Sequence, residues 1–477
     1  MKKIFLLFGF ALLLVISCKK DSSDGPGPIG PVGTDSELPY VVITTASDIE
    51  NEPKVPGQLR IYQQDQEVFT STIGIEYRGS TSFRLSDKKS YGFETWDDNN
   101  NDEAKSILGF PEEEDWILMG HVFRASEGII FDPTLMRHHI GYELYRSMGN
   151  YASRSQFIEL TVNGNFRGTY LLMEKLKRDN DRIDIARLEE SDNDPEQITG
   201  GYILKIDKTS GADVAPNQPL SYYESNWDDD ARYNETISFR SNYGVDGSTL
   251  DFEAFRPPYH AQQYLETYFL YEYPRADRIT AQQKEYIQGY MESFETALLN
   301  DDLTSNERSY TDYIELSSFV DYFILNELVS NVDAYRISTY LFKDRGEKLH
   351  IGPVWDLNIG YNSQDRVPSN DWIANYNDYV PGDAWLVPFW WDRLLEDPVF
   401  INLLKQRWSS LRANVLATQR IEDLVRETSA YLVDNGAIER NYERWSGIEV
   451  DYANEIEAMI NYLKNRLAWM DETIPNM

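Results

Sequence analysis

Residues 319–358, FVDYFILNELVSNVDAYRISTYLFKDRGEKLHIGPVWDLN, carry the reading on which the fold turns. The opening run is apolar nearly all round, so it predicts a helix over 316–332 at the centre of a helix-rich unit rather than on its surface. ISTYLFK and KLHIGPVW, separated by DRGE, predict a β-hairpin after it. Asp333 falls at the end of the helix and Asp356 at the end of the second hairpin strand. Carboxylates placed there either pin backbone or form two halves of one reactive site. Brought together, they repel and raise one pKa unless a cation sits between them. Asn358 adds a second oxygen two residues beyond Asp356, on the same side if the segment is extended. Hard oxygen donors of this kind suit Mg²⁺, which keeps several waters and takes further ligands from phosphates.

Outward from this stretch, residues 38–210 read mostly as strand: LPYVVITT, the alternating STIGIEYRG and KKSYGFETW around the polar loop STSFRLSD, and GGYILKIDK. FIELTVNGNFRGTYLLME reads as a hairpin turning at Asn163-Gly164. PTLMRHHIGYELYRSMG predicts one helix, opening at Asp132-Pro133 and closing at Gly149. The acidic, turn-rich segment 186–258 reads as a surface insertion around the strand at 201–206. Helices are predicted over 280–300, 394–417, 419–433 and 452–471. The fold class is therefore α+β: a β-rich lobe over 38–210 packed on a helical lobe over 259–477.

With 41% hydrophobic and 13% aromatic residues the chain of 477 can bury a large core. Its formal charge of −34 repels phosphate backbones and excludes nonspecific nucleic-acid binding. The first residues, MKKIFLLFGFALLLVISCKK, pair two lysines with an apolar run too short for a membrane span, which predicts an export signal over 1–17. VISC resembles the lipobox of bacterial lipoproteins, and Cys18 is the chain's single cysteine. Acylation there predicts a lipid-anchored protein of the cell envelope, outside the cytoplasm. Residues 18–37, rich in Gly, Pro and Ser, read as a tether.

Candidate anion contacts lie in the β-rich part. Arg78 and Ser80 belong to the loop RGSTS, which either wraps an anion or is a plain turn; Lys88 and Lys89 follow it. Lys205 in YILKID either reaches a phosphate or is an exposed strand lysine, with Glu174 as its partner or merely solvated. WDDNNNDE (96–103) lacks the Gly and downstream Glu of a calcium loop. The five histidines, 121, 138, 139, 260 and 350, show no zinc spacing. The aromatic stretch 371–391 either lines a substrate cleft or packs the hairpin on the C-terminal helices.

These pieces, YRGSTSF with KKSYGFE, DWILMG, DPTLMRHHIGYELYRSMG, VNGNFRGTYLLMEKLKRDNDRIDI, GGYILKIDK, NELVSNVDAYRISTYLFKD and IGPVWDLNIGY, come in an order that resembles the CotH kinase family. The resemblance implies an atypical protein-kinase-like fold and transfer of phosphate from ATP, with Mg²⁺ or Mn²⁺, to a secreted or surface protein. It makes Asp333 the catalytic Asp and Asp356 the metal-binding Asp of a W-D-x-[DN] motif. Arg78, Lys88, Lys89 and Lys205 fall where the family supplies basic groups to the nucleotide. Two departures bear on the metal: Ser338 stands where many members carry Asn, and Asn358 stands for the motif's second acid. Affinity for hard cations rises with ligand charge, so both weaken the expected site. The alternative is a CotH-fold surface module with little or no catalysis, binding glycan or protein through residues 371–391.

Overall fold

The computed structural model describes residues 38–210, 214–215, 217–305, 307–361 and 366–477. The expected export signal, Cys18 and the Gly/Pro/Ser stretch lie outside them. In chain order the strands are β1 Tyr40–Thr45, β2 Val55–Gln63, β3 Gln66–Arg78, β4 Ser90–Trp96, β5 Asp115–Met119, the short pair β6 Phe123–Arg124 and β7 Ile129–Ile130, β8 Ser155–Val162, β9 Asn165–Glu174, β10 Tyr202–Ile206, β11 Ser238–Arg240, β12 Tyr268–Tyr273, β13 Thr339–Lys343 and β14 Leu349–Ile351.

The alternation read in the N-terminal part closes a barrel in the order β1-β2-β3-β4-β5-β9-β8, sealed by parallel pairing of β1 with β8. Every second residue points inward, so Ile73, Ile75, Phe93, Trp116, Leu118, Leu160 and Leu172 fill it. The β8–β9 hairpin turns as expected at Asn163 and Gly164, both with positive φ (50° and 73°), the requirement of a two-residue turn matched to strand twist.

A second, antiparallel sheet runs β11-β12-β10-β13-β14. Its strands come from both sides of residue 258, so the helix-rich part also holds strand, including YFLYEY (β12), which the sequence reading passed over. The segment 186–258 is not wholly a surface insertion. It supplies β10 and the edge strand β11, and its Asp229 and Asp230 are buried. Burial of these acids is offset by Arg232 Nε on Asp229 (2.6 Å) and Arg84 Nη1 on Asp230 (2.7 Å).

The helix Leu316–Val329 is buried from Ser318 onward, as its all-round apolar pattern requires. Ser330, with φ 49°, ends it in the left-handed conformation. The helix Arg137–Ser147 begins later than expected, because Asp132 caps from a distance. Its Oδ2 accepts from Arg137 N (2.9 Å) and its Oδ1 from Thr134 N (3.0 Å). The run expected over 394–417 breaks into Trp390–Glu396 and Pro398–Arg412. Asp397 caps the second at Val399 N (2.9 Å), and Pro398 cannot continue the first. The loop STSFRLSD contains a short helix, Thr81–Leu85, held by burial of Phe83 and Arg84. The helix Ala437–Arg444, absent from the sequence reading, docks on the barrel through Arg440 Nε to Glu159 (2.7 Å).

Candidate active site

The chain between the helix Leu316–Val329 and residue 361 bends through five non-glycine residues with positive φ: Ser330, Tyr335, Ser338, Asp356 and Tyr361. Each such residue costs on the order of 1–3 kcal/mol, and such costs cluster where geometry serves function. Asp333 lies in the first of these bends. Its carboxylate, 14% exposed, accepts from Arg336 Nη2 at 2.8 Å. Arg336 is fixed in turn by Val332 O (2.7 Å), Asp383 Oδ2 (3.2 Å) and the face of Tyr376 (4.2 Å). Burial raises the pKa of Asp333; Arg336 opposes this, the charge of Asp356 adds to it, and Lys208 and Arg366 lower it. The hairpin thus brings the two carboxylates within electrostatic reach of each other.

Asp356 follows β14 and rests on the helix Arg137–Ser147. Docking there needs Gly141, because a Cβ at that position would lie 2.1 Å from Leu357 Cδ1. His138 Nε2 lies 3.4 Å from Asp356 Oδ1. Tyr142 lies close by, its phenol pushed well above its ordinary pKa by burial and then by the Asp356 charge. Trp355 stacks on Tyr142 (6.1 Å between centroids), with Arg78 above the indole at 5.8 Å. Asn358 accepts from Arg137 Nη1 at its backbone carbonyl (2.9 Å). Ser338, with φ 49°, is half-buried before β13. The donor set of Asp356 and Asn358 fits a hard divalent cation: the Asp356 carboxylate is 35% exposed, and its close neighbour is a histidine rather than a lysine or arginine.

Lys205 sits on β10 opposite Tyr340, with Asp207 at 3.5 Å and Glu272 at 3.6 Å. Glu174, read as a possible partner, makes its ion pair elsewhere. Glu174 is fully buried and holds Arg154 through Nη1 and the backbone N (2.9 Å). Lys208, which the sequence reading missed, bonds Thr81 Oγ1 (3.3 Å), lies 3.7 Å from Asp230 and caps Trp385 at 4.9 Å. The available signal was its place two residues past the end of β10. Lys205 and Lys208 both line a groove of about 1310 Å³ between the barrel and the second sheet, also edged by Lys175, Glu94, Glu272 and Tyr273. Neither Asp333 nor Asp356 lines it.

Three expected anion contacts are engaged elsewhere. Ser80 donates to Asp230 Oδ1 (2.6 Å) and accepts from Arg84. Lys89 donates to Phe83 O and lies over the Phe83 ring at 4.2 Å. Lys88 is buried, bonding Thr169 O and Asn441 Oδ1 (2.8 Å), so it joins the barrel to the helix Ala437–Arg444 instead of meeting phosphate. Burial pushes its amine down to about 7. The folded state then binds fewer protons than the unfolded chain between about pH 7 and the free lysine value near 10.4. Stability should therefore rise through that window and be lost as pH falls toward 7. We expect the stability of the wild type relative to Lys88→Met to rise by about 1.4 kcal/mol per pH unit over roughly pH 7–9 in urea titrations; parallel curves would refute it.

The acids Glu113, Glu114 and Asp115 come close enough to ligate a cation, but Lys177 Nζ already stands among them at 2.9, 2.7 and 2.8 Å. Within residues 371–391 three of the tryptophans pack in the core, while Tyr379 is exposed. Trp390 and Trp391 are buried, Trp391 stacks on Tyr322 and Phe323, and Trp372 meets Phe323 and Trp469.

A family model described as CotH kinase protein matches residues 75–470, most of the chain and all the groups just placed around the two carboxylates. No curated protein matches the chain.

Proposed function

The chain belongs to the CotH kinase family, and on that footing we propose that it transfers the γ-phosphoryl group of ATP to a hydroxyl of a protein substrate. What supports this reading is the placing of Asp333 and Asp356 in strained bends on either side of the hairpin, close enough for their charges to interact, with Arg78 over Trp355 and Lys205 and Lys208 along the groove. A bound Mg²⁺ or Mn²⁺ would neutralise phosphate charge there, with Asp356 and Asn358 as its protein donors and Ser338 added by its place in the family motif. Asp333 orients the acceptor hydroxyl and takes its proton at a carboxylate oxygen, while Arg336 holds that carboxylate in place. Its raised pKa makes it a better proton acceptor than an exposed aspartate. Lys205, Lys208 and Arg78 supply positive charge to the nucleotide phosphates. The kinase-like fold, and a lipid anchor at Cys18 that sets the protein to work on secreted or surface proteins, belong to the same proposal.

The test is incubation of the purified protein with γ-labelled ATP and Mg²⁺ or Mn²⁺. Label on the protein or on an added acceptor supports the reading; neither binding nor transfer of nucleotide would overturn it. The departure at Ser338 gives a second expectation. Asn adopts the left-handed region more readily than Ser, and its amide oxygen is a better hard-cation donor than a hydroxyl. Ser338→Asn should keep or slightly raise the melting temperature and tighten Mn²⁺ several-fold by calorimetry. Weaker binding would remove Ser338 from the metal site.

A further inference from the structure

His138 is among the most deeply buried polar residues, 1% exposed, and neither of its ring nitrogens has a hydrogen-bond partner among the described residues. A neutral imidazole carries one donor and one acceptor, and leaving both unmet inside a protein costs on the order of 1–3 kcal/mol per group. Buried polar groups are bonded in the great majority of cases, so each exception calls for a cause. His121, beside it, is also buried, and burial together with Lys88 pushes its imidazole down to about 3, which keeps it neutral. The buried Tyr142 hydroxyl lies beneath Asp356.

Distance separates the possible roles of His138. Its Nε2 is 3.4 Å from Asp356 Oδ1, beyond the usual N–H···O length of about 2.9–3.0 Å. The spacing suits two atoms that share one ion: with ligand bonds near 2.1 Å, adjacent corners of an octahedron lie roughly 3 Å apart. The ring is held from behind by Tyr142, at 5.9 Å between centroids, and by its place in the first turn of the helix Arg137–Ser147. Gly141 in that helix is what allows the Asp356 segment to approach. Helix and segment together fix the imidazole next to the carboxylate.

We propose that His138 Nε2 is a protein donor to the divalent cation at Asp356, giving the site one nitrogen ligand; this rests on the metal site of the proposed function. Imidazole is a poor ligand for Mg²⁺, which favours oxygen, and a good one for transition ions. A site with one imidazole and one carboxylate therefore selects Mn²⁺ over Mg²⁺. It also accounts for tolerance of Asn358 and Ser338, because the imidazole replaces a donor that those positions supply poorly.

The test uses Mn²⁺ alone, without nucleotide, and electron spin echo modulation, which detects ¹⁴N bound directly to the ion. Wild type should bind Mn²⁺ with ¹⁴N modulation from one imidazole. Asp356→Asn should lose tight binding. His138→Asn should keep a Mn²⁺ site without the modulation and with its preference for Mn²⁺ over Mg²⁺ reduced about tenfold. Mn²⁺ bound in an Asp356-dependent manner without ¹⁴N modulation in wild type would overturn the role of His138 and leave the metal site standing. Modulation that persists in His138→Asn would assign it to another nitrogen and overturn the role equally. Failure of wild type to bind Mn²⁺ at all would overturn both. The wild-type spectrum decides even if His138→Asn does not fold.

Discussion

Asp356→Asn is expected to reduce transfer of label from ATP by at least about 10²–10³-fold while leaving the fold intact, as judged by circular dichroism and melting temperature. The carboxylate is 35% exposed and its backbone has φ 52°, a conformation that Asn adopts as readily as Asp. Asparagine therefore removes the charge without straining the chain. Alanine in the same place should lose as much activity but also destabilise by about 1–2 kcal/mol, because it lacks the short polar side chain whose local hydrogen bonding lets Asp and Asn settle in the left-handed region. Asp333→Asn should lose about 10²–10⁴-fold through loss of the proton acceptor. It also removes one of the two carboxylates paired with Arg336, Asp383 remaining, so some loss of stability accompanies it. Transfer that survives Asp356→Asn at the wild-type rate, with Mg²⁺ or Mn²⁺, would remove the two carboxylates from the reaction.

The placing of Asp333 after the central helix and of Asp356 after the hairpin was legible because it depends on local patterns. An all-round apolar helix, a hairpin with a polar turn and the placement of each acid at an element end can all be read along the chain. The barrel hairpins were legible for the same reason, alternation with turn residues between. What escaped depends on contacts distant in sequence. Lys88 reads like any polar strand residue, and only the closed barrel with the helix Ala437–Arg444 across it shows that its amine is buried against Thr169 and Asn441. Asp230 looks like part of an acidic surface run until Arg84 and Ser80 meet it. His138 lacks any zinc spacing in sequence, since its neighbour Asp356 comes from another element. The helix Ala437–Arg444 is short and half polar, so its apolar face carries too few residues to stand out.

The largest effect on stability should come from Glu327. It lies in the helix Leu316–Val329, fully buried, and faces Arg466, which is also fully buried. Arg466 Nη2 donates to Glu327 Oε2 at 2.9 Å, Ile373 N and Ala374 N donate to the same carboxylate at 2.7 and 2.9 Å, and Tyr335 OH donates at 3.0 Å. Glu327→Ala leaves a guanidinium buried without its charge partner, together with two amides and a phenol without an acceptor. Breaking a buried pair from one side costs about 3–5 kcal/mol, and the stranded donors add to it. Glu327→Gln keeps much of the hydrogen bonding and should fall between alanine and wild type. In the double variant Glu327→Ala, Arg466→Met no charge is stranded, so it should recover much of the loss in urea titration, with a coupling energy of about 1–3 kcal/mol. Tyr335 stands two residues from Asp333, so the same carboxylate that stabilises the helical core also fixes the bend carrying Asp333. Activity of Glu327→Gln should therefore fall more than its stability does. If Glu327→Ala and the double variant unfold at the same urea concentration, the stranded charge is not what destabilises the protein, and the bend is held by packing of Tyr335 on Trp391 instead.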